Sequence, residues 1–132
     1  MAGETDLKAL IEGMNPVLNT GEFVFTTVDD LRSIPQTAVV GQFREPEGIT
    51  LIMERQHADA LHLGYDFVAG WITLTVYSSL EAVGLTAIFS SELARHGISC
   101  NVIAGFYHDH LFVPSHDAQK AMDVLMAMKQ HV

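Results

Sequence analysis

The segment Trp71-Ile-Thr-Leu-Thr-Val-Tyr77, continued by Ser78-Ser79-Leu80-Glu81-Ala82, decides the fold. Apolar residues alternate with others in its first part, which predicts a strand with Ile72, Leu74 and Val76 on one face. In its second part the serine hydroxyls can accept hydrogen bonds from free backbone N–H groups, and the glutamate suits the positive end of a helix dipole. We therefore expect a strand followed directly by the start of a helix.

The residues after this point carry an apolar stripe. Ala82, Leu85, Phe89 and Leu93 recur at spacings of three and four, which places them on the side of a helix that packs against a sheet. Gly97 is expected to end the helix as a left-handed cap. Residues 99–106 and 110–113 are β-rich and separated by a short turn, so they are predicted to pair as an antiparallel hairpin. A last helix is expected from about residue 115 to the end of the chain.

The first half of the chain shows a related order of elements. Residues 22–28 predict a strand, and residues 38–44 and 49–55 predict a hairpin that turns at Glu45-Pro46-Glu47-Gly48, where proline pre-sets one turn dihedral. Residues 56–63 predict a short helix. The pattern Val-Asp-Asp-Leu-Arg-Ser-Ile from residue 28 is matched by Tyr-Ser-Ser-Leu-Glu-Ala-Val from residue 77, which indicates a duplication whose first copy has lost most of one helix.

Two local motifs resemble the pattern of the ACT domain, a small regulatory module that usually binds amino acids. They are Ser78-Ser79-Leu80-Glu81-Ala82-Val83-Gly84-Leu85 and Leu93-Ala94-Arg95-His96-Gly97-Ile98-Ser99. The closer resemblance is to small bacterial stand-alone proteins made of two fused ACT-like units. It is carried by Phe43-Arg44-Glu45-Pro46-Glu47-Gly48, Asn101-Val-Ile-Ala-Gly105 and Tyr107-His-Asp-His110.

The resemblance implies an α+β, ferredoxin-like ACT fold. We expect tandem ACT-like β(α)ββα units whose antiparallel sheets are covered by helices. The divisions are residues 1–20 as an N-terminal helix, 21–68 as a first, degenerate unit and 69–132 as the second unit. The second unit is short of a fourth strand, since its last predicted helix reaches the end of the chain. Either a strand of the first copy completes the sheet of the second unit by exchange, or this sheet keeps an unpaired edge with which another chain can pair.

The resemblance also implies a ligand site in the loop after the first strand of each unit, with contacts from the next strand. Free N–H groups at a helix start suit a ligand carboxylate, and a nearby aspartate suits an ammonium group. The alternative is that the serine is only a helix cap and the aspartate only a turn residue. The expected ligand-binding residues are Asp29, Asp30, Ser78, Ser79, Leu80, Glu81, Ala82, Val83, Asn101 and Ile103.

A rival interpretation centres on His108-Asp109-His110. On a strand the two imidazoles would point the same way and could share one metal ion, as in a small metal-dependent enzyme. A third protein ligand has no specific candidate, so a turn histidine bonded to backbone is the simpler explanation. A further alternative is a structural, oligomeric module whose strand edge serves only assembly.

Composition sets the outer limits. Seven basic and sixteen acidic residues give a formal charge of −9, which disfavours nucleic acid and anionic membranes as partners. With no long apolar run and no signal-like start, a cytoplasmic protein is expected. Cys100 is the only cysteine and is expected to be an inert core thiol. We therefore expect a non-catalytic, amino-acid-binding regulatory homodimer, with no cofactor, metal ion or catalytic residue.

Overall fold

The computed structural model describes residues 7–75 and 84–130. The strands in these ranges are β1 (Pro16–Val28), β2 (Val39–Glu45), β3 (Gly48–Glu54), β4 (Val68–Leu74), β5 (Asn101–Ala104) and β6 (Asp109–Pro114). The α-helices are α1 (Leu7–Gly13), α2 (Arg55–Ala60), α3 (Leu85–Arg95) and α4 (Ala118–Gln130), with 3-10 turns at Gln36–Ala38 and Ser115–Asp117. The expected α+β class is confirmed.

The chain divides into two compact units. The one-segment unit is Gly21–Ala69, and the two-segment unit joins Met1–Thr20 to Gly70–Val132. Strand β1 therefore belongs to the two-segment unit up to residue 20 and to the one-segment unit from residue 21.

In the one-segment unit the strands lie in the order β2-β3-β1. Both neighbouring pairs are antiparallel, and Glu45 pairs with Gly48 across the tight turn predicted from the sequence. A short 3-10 turn at Gln36–Ala38 stands where the second copy has a long helix. The buried core of the unit consists of Val24, Ile34, Leu51, Met53 and Ala58.

In the two-segment unit the strands lie in the order β1-β4-β6-β5. Its core includes Ile72 and Leu74 from β4 together with residues of α1, α3 and α4. Because successive strand residues point to opposite sides, Trp71 and Thr73 lie on the sheet face away from this helical layer. Both are half-buried. The predicted apolar stripe is confirmed at Leu85, Phe89 and Leu93, which are at most 3% exposed.

The first residues of β1 supply the fourth strand that the second copy was expected to lack. The side-chain amide of Asn19 donates to the carbonyl oxygen of Trp71 at 3.1 Å and to the hydroxyl oxygen of Thr73 at 3.0 Å. Strand β4 is the first strand of this unit, β5 the second, β6 the third and β1 the fourth. Across the sheet the order is therefore fourth, first, third, second, which is the ferredoxin-like arrangement. This exchange of a strand explains how a unit that ends in a helix still forms a complete sheet.

The described part of helix α3 begins at Leu85, after Gly84, which has a φ of 88°. The sequence placed the start of a helix at residues 78–82. Residues 76–83 lie outside the described part of the chain. The end of the helix was predicted correctly: Gly97 has a φ of 73°, and the N–H of Ile98 donates to the carbonyl oxygen of Leu93 at 3.0 Å, as in a Schellman cap.

Across residues 7–75 and 84–130, none of the helices has the length and apolar character that a membrane span requires.

Candidate functional site

The loop expected to hold the ligand follows β4. Ser78, Ser79, Leu80, Glu81, Ala82 and Val83 fall in the range 76–83 and lie outside the described residues. The described structure resumes at the start of α3, where the N–H of Ile88 donates to the carbonyl oxygen of Gly84 at 3.0 Å. The amides of residues 85–87 come before this first helical bond, so they have no partner within the helix. The anion-binding amides expected at residues 79–82 lie outside the described residues.

The next strand presents the second set of expected contacts. Asn101 and Ile103 lie on β5, directly opposite Phe112 and His110 of β6. Strand β5 ends the strand order of its unit. Asn101 is exposed and Ile103 is 40% exposed. The structure thus brings these two side chains together on one face of an edge strand.

In the one-segment unit, Asp29 and Asp30 follow the end of β1 and are exposed. One carboxylate oxygen of Asp30 accepts the backbone N–H of Arg32 and the other accepts its guanidinium, both at 2.9 Å. The guanidinium bond, and then the backbone bond, lower the pKa of Asp30. Asp30 is therefore held by contacts within its own turn in this structure.

A cluster that the sequence analysis did not predict lies on the sheet face of the two-segment unit that points away from its helices. The indole N–H of Trp71 donates to Nδ1 of His110 at 3.1 Å, and the hydroxyl oxygen of Thr73 is 3.3 Å from the same nitrogen. The ring of Trp71 stacks on Phe112 with the centroids 5.9 Å apart and an angle of 19° between the planes. Alternation along β4 places Trp71 and Thr73 on one face, but their partner on β6 is 37 to 39 residues away.

The surroundings of His110 disfavour its charged form. Burial is the main cause that lowers the pKa of His110, and the neighbouring His108 adds to it, while Asp109 acts in the opposite direction. Burial also raises the pKa of the Asp109 carboxyl. Burial therefore disfavours both the imidazolium form of His110 and the carboxylate form of Asp109.

The hydrogen bond at His110 is also relevant to the alternative in which His108 and His110 share one metal ion. Nδ1 of His110 accepts the indole N–H of Trp71, while His108 is exposed at the turn before β6. Within residues 7–75 and 84–130, no group of three or more histidine, cysteine or carboxylate side chains is arranged to hold a metal ion.

A shallow groove of about 340 Å³ lies between α3 and α4 of the two-segment unit. Most of its surface is apolar, and Arg95 at its rim is already paired with Glu92 at 3.1 Å. Such a lining does not suit a ligand that carries both a carboxylate and an ammonium group. The groove is lined by Ala87, Ile88, Ser91, Glu92, Arg95 and Met128.

Comparison with known proteins agrees with this arrangement. The ACT domain matches residues 2–70 and, a second time, residues 67–127. No curated protein matches the sequence.

Solved structures share the fold over most of the chain. A Vibrio cholerae protein of unknown function, described as a "possible transport protein", is 46% identical, with a TM-score of 0.84 over 93% of this chain and 95% of that one. An Agrobacterium tumefaciens protein is 20% identical, with a TM-score of 0.65 over 88% and 89% of the two chains. The aspartate kinase of Clostridium acetobutylicum, described as an allosteric enzyme, shares the fold at 9% identity and a TM-score of 0.58, over 88% of this chain and 34% of the kinase. From the two tandem matches and the ferredoxin-like strand order, we conclude that this chain belongs to the ACT-domain family.

Proposed function

We propose that this protein is a non-catalytic, cytoplasmic regulator of bacterial origin that binds an amino acid and works as a homodimer. ACT domains are typically regulatory modules that bind small-molecule ligands, often amino acids, and oligomerise. The observation that carries the proposal is that two such domains, in tandem, account for residues 2–70 and 67–127 of this chain.

The proposed ligand site of the two-segment unit combines the residues 78–83 with Asn101 and Ile103. The amide of Asn101 is exposed at the edge strand, where it can bond to a polar ligand group, and the apolar side chain of Ile103 can contact a ligand side chain. The free amides at the start of α3 suit a carboxylate, because the positive end of a helix dipole favours an anion. An amino acid supplies both kinds of group.

The equivalent site of the one-segment unit would use Asp29 and Asp30. Of these, Asp30 is held by Arg32, so the ammonium of a ligand would have to compete with an existing charged partner. We therefore propose the site near β5 as the main ligand site, and residues 21–68 as a degenerate copy.

The proposed mechanism is a change of association on binding. A ligand shifts an equilibrium only when it binds the two states with different affinity. Strands β2 and β5 end the strand orders of their units, and each exposes a large apolar side chain, Phe43 on β2 and Ile103 on β5. A second copy of the chain could pair at such an edge. A ligand that binds the paired form more tightly than the unpaired form would then favour the pairing.

A thermal-shift panel with the twenty amino acids tests the proposal. At about 100 times its dissociation constant, a ligand should raise the free energy of unfolding by about 2.7 kcal/mol. Asn101→Ala should weaken that gain, whereas Ser99→Ala, an exposed position just before β5, should retain it. A panel in which no amino acid raises the melting temperature would contradict the proposal, and a shift with zinc alone would favour the metal-dependent alternative.

A further inference from the structure

The bond between Trp71 and His110 fixes the protonation state of one imidazole nitrogen. An indole N–H can only donate a hydrogen bond, so Nδ1 of His110, 3.1 Å from it, must accept and carries no proton. The neutral ring then holds its proton on Nε2. The structure thus selects one of the two neutral tautomers of this histidine, and the donor that selects it lies on a different strand.

The hydroxyl of Thr73 is directed to the same nitrogen by its own partner. The oxygen of this hydroxyl accepts the side-chain N–H of Asn19 at 3.0 Å and lies 3.3 Å from Nδ1 of His110. With its oxygen engaged as an acceptor, the hydroxyl is free to donate its own hydrogen to the imidazole. Nδ1 therefore accepts hydrogen bonds from both Trp71 and Thr73. Together with the bond from Asn19 to Thr73, these bonds connect β1, β4 and β6.

Of the two groups that contact Nδ1 among the described residues, the indole of Trp71 offers no acceptor for a proton on this nitrogen. On β4 the ring faces Trp71 and Thr73, which are uncharged, and on β5 it lies opposite Ile103. The turn before β6 passes close to the ring at Gly105, where an added Cβ would lie 3.1 Å from Nε2 of His110. The charged or titratable neighbours that act on it among the described residues are His108 and Asp109, in the chain beside it.

We propose that His110 is a pH-sensitive switch in the two-segment unit, in which uptake of a proton from solvent at Nδ1 breaks the contact with Trp71. An imidazolium carries N–H on both nitrogens, so its Nδ1–H would oppose the indole N–H of Trp71, which has no lone pair to accept it. The hydroxyl of Thr73 can turn to accept the new N–H, but the bond to the indole is lost. The contact between β4 and the β5–β6 hairpin is thereby weakened.

The direction of the pH effect follows from linkage. The pKa of His110 in the folded protein is lower than the ordinary histidine value of 6.5, so the unfolded chain binds the proton more readily. The stabilisation is fully present above that ordinary value and is lost as the pH falls below it towards the folded-state pKa. The switch therefore opens as the pH falls below 6.5 towards the folded-state pKa, and it is closed at neutral pH.

Long-range proton–nitrogen NMR of the histidine rings tests the first step. At pH 7.5 the Nδ1 resonance of His110 should show an unprotonated nitrogen and Nε2 a protonated one. Trp71→Phe keeps an aromatic ring but removes the N–H donor, so it should raise the pKa of His110. A protonated Nδ1 in the wild-type protein, or an unchanged titration of His110 in the variant, would overturn the proposal.

Urea unfolding at pH 7.5 and pH 5.5 tests the second step. In His110→Asn the side-chain oxygen can still accept the indole N–H, but the residue no longer titrates. The wild-type midpoint should fall more between the two pH values than the midpoint of this variant, because only the wild-type protein keeps an imidazole at position 110. Equal losses in the two proteins would overturn the coupling to stability, and if the variant does not fold, the NMR measurement on the wild-type protein still decides the tautomer.

Discussion

Replacement of Gly70 by alanine should destabilise the two-segment unit, because β4 approaches the start of α4 too closely for a side chain. A Cβ at this position would lie 2.8 Å from the Cβ of Ala118 and 3.9 Å from its Cα. Carbon atoms in contact prefer about 3.5 to 4.0 Å. Neither methyl group can rotate away, so relief requires a displacement of the helix or the strand.

The magnitude follows from two opposing effects. Overpacking of a closely packed contact costs typically about 1–3 kcal/mol. Alanine in place of glycine in a strand returns about 0.5–1 kcal/mol of chain entropy. We therefore expect the free energy of unfolding to fall by about 1–2 kcal/mol, which corresponds to a fall in the melting temperature of about 4–8 °C for a chain of this size.

Urea unfolding measures this loss against two controls. Gly64→Ala is the matched substitution, since nothing lies within 4 Å of a Cβ there, and it should leave the stability unchanged or slightly higher. The double variant Gly70→Ala with Ala118→Gly should recover stability beyond the sum of the single effects, by about 1 kcal/mol. If Gly70→Ala is as stable as Gly64→Ala, or if the double variant is strictly additive, the close approach of β4 and α4 is not the cause.

Three further results are expected. Gly97→Ala should lower the free energy of unfolding by about 1–2 kcal/mol, because Gly97 has a φ of 73° while nothing lies within 4 Å of an added Cβ; an unchanged urea midpoint would contradict the left-handed cap. Thr26→Val should cost about 1 kcal/mol, because the hydroxyl of the buried Thr26 donates to the carbonyl oxygen of Gly64 at 2.7 Å, and a variant as stable as wild type would show that this bond does not contribute. Cys100 should react slowly with a thiol reagent at pH 7.5, since burial raises its pKa to about 11 and the thiolate is the reactive form; reaction as fast as that of an exposed thiol would show that Cys100 is not shielded.

The elements that depend on neighbouring residues were predicted well from the sequence. The hairpin turn at Glu45–Gly48 and the cap at Gly97 are set by local backbone preferences, and both are found as expected. The apolar stripe of α3 follows from helical periodicity alone. The start expected at Ser78 and Ser79 lies outside the described residues, and the described part of the helix begins at Leu85.

The features that depend on distant pairing were missed. Strand β1 was expected from residue 22 but begins at Pro16, because residues 16–20 are stabilised by β4, which follows about fifty residues later. Asn19 and Thr20 favour turns when only local sequence is considered, whereas here Asn19 bonds across to Trp71 and Thr73. The contact of Trp71 with His110 depends on the alignment of β4 and β6, which no local pattern specifies. Of the expected site residues, the structure places Asn101, Ile103, Asp29 and Asp30, and residues 78–83 lie outside its described part.

The measurement that tests the central claim most directly is isothermal titration calorimetry of the purified protein with each of the twenty amino acids at pH 7.5. The account predicts saturable heat for one amino acid or a few chemically related ones, with affinity reduced in Asn101→Ala and retained in Ser99→Ala. The absence of saturable heat with all twenty would contradict an amino-acid-binding function, and equal affinity in both variants would contradict the site proposed beside β5.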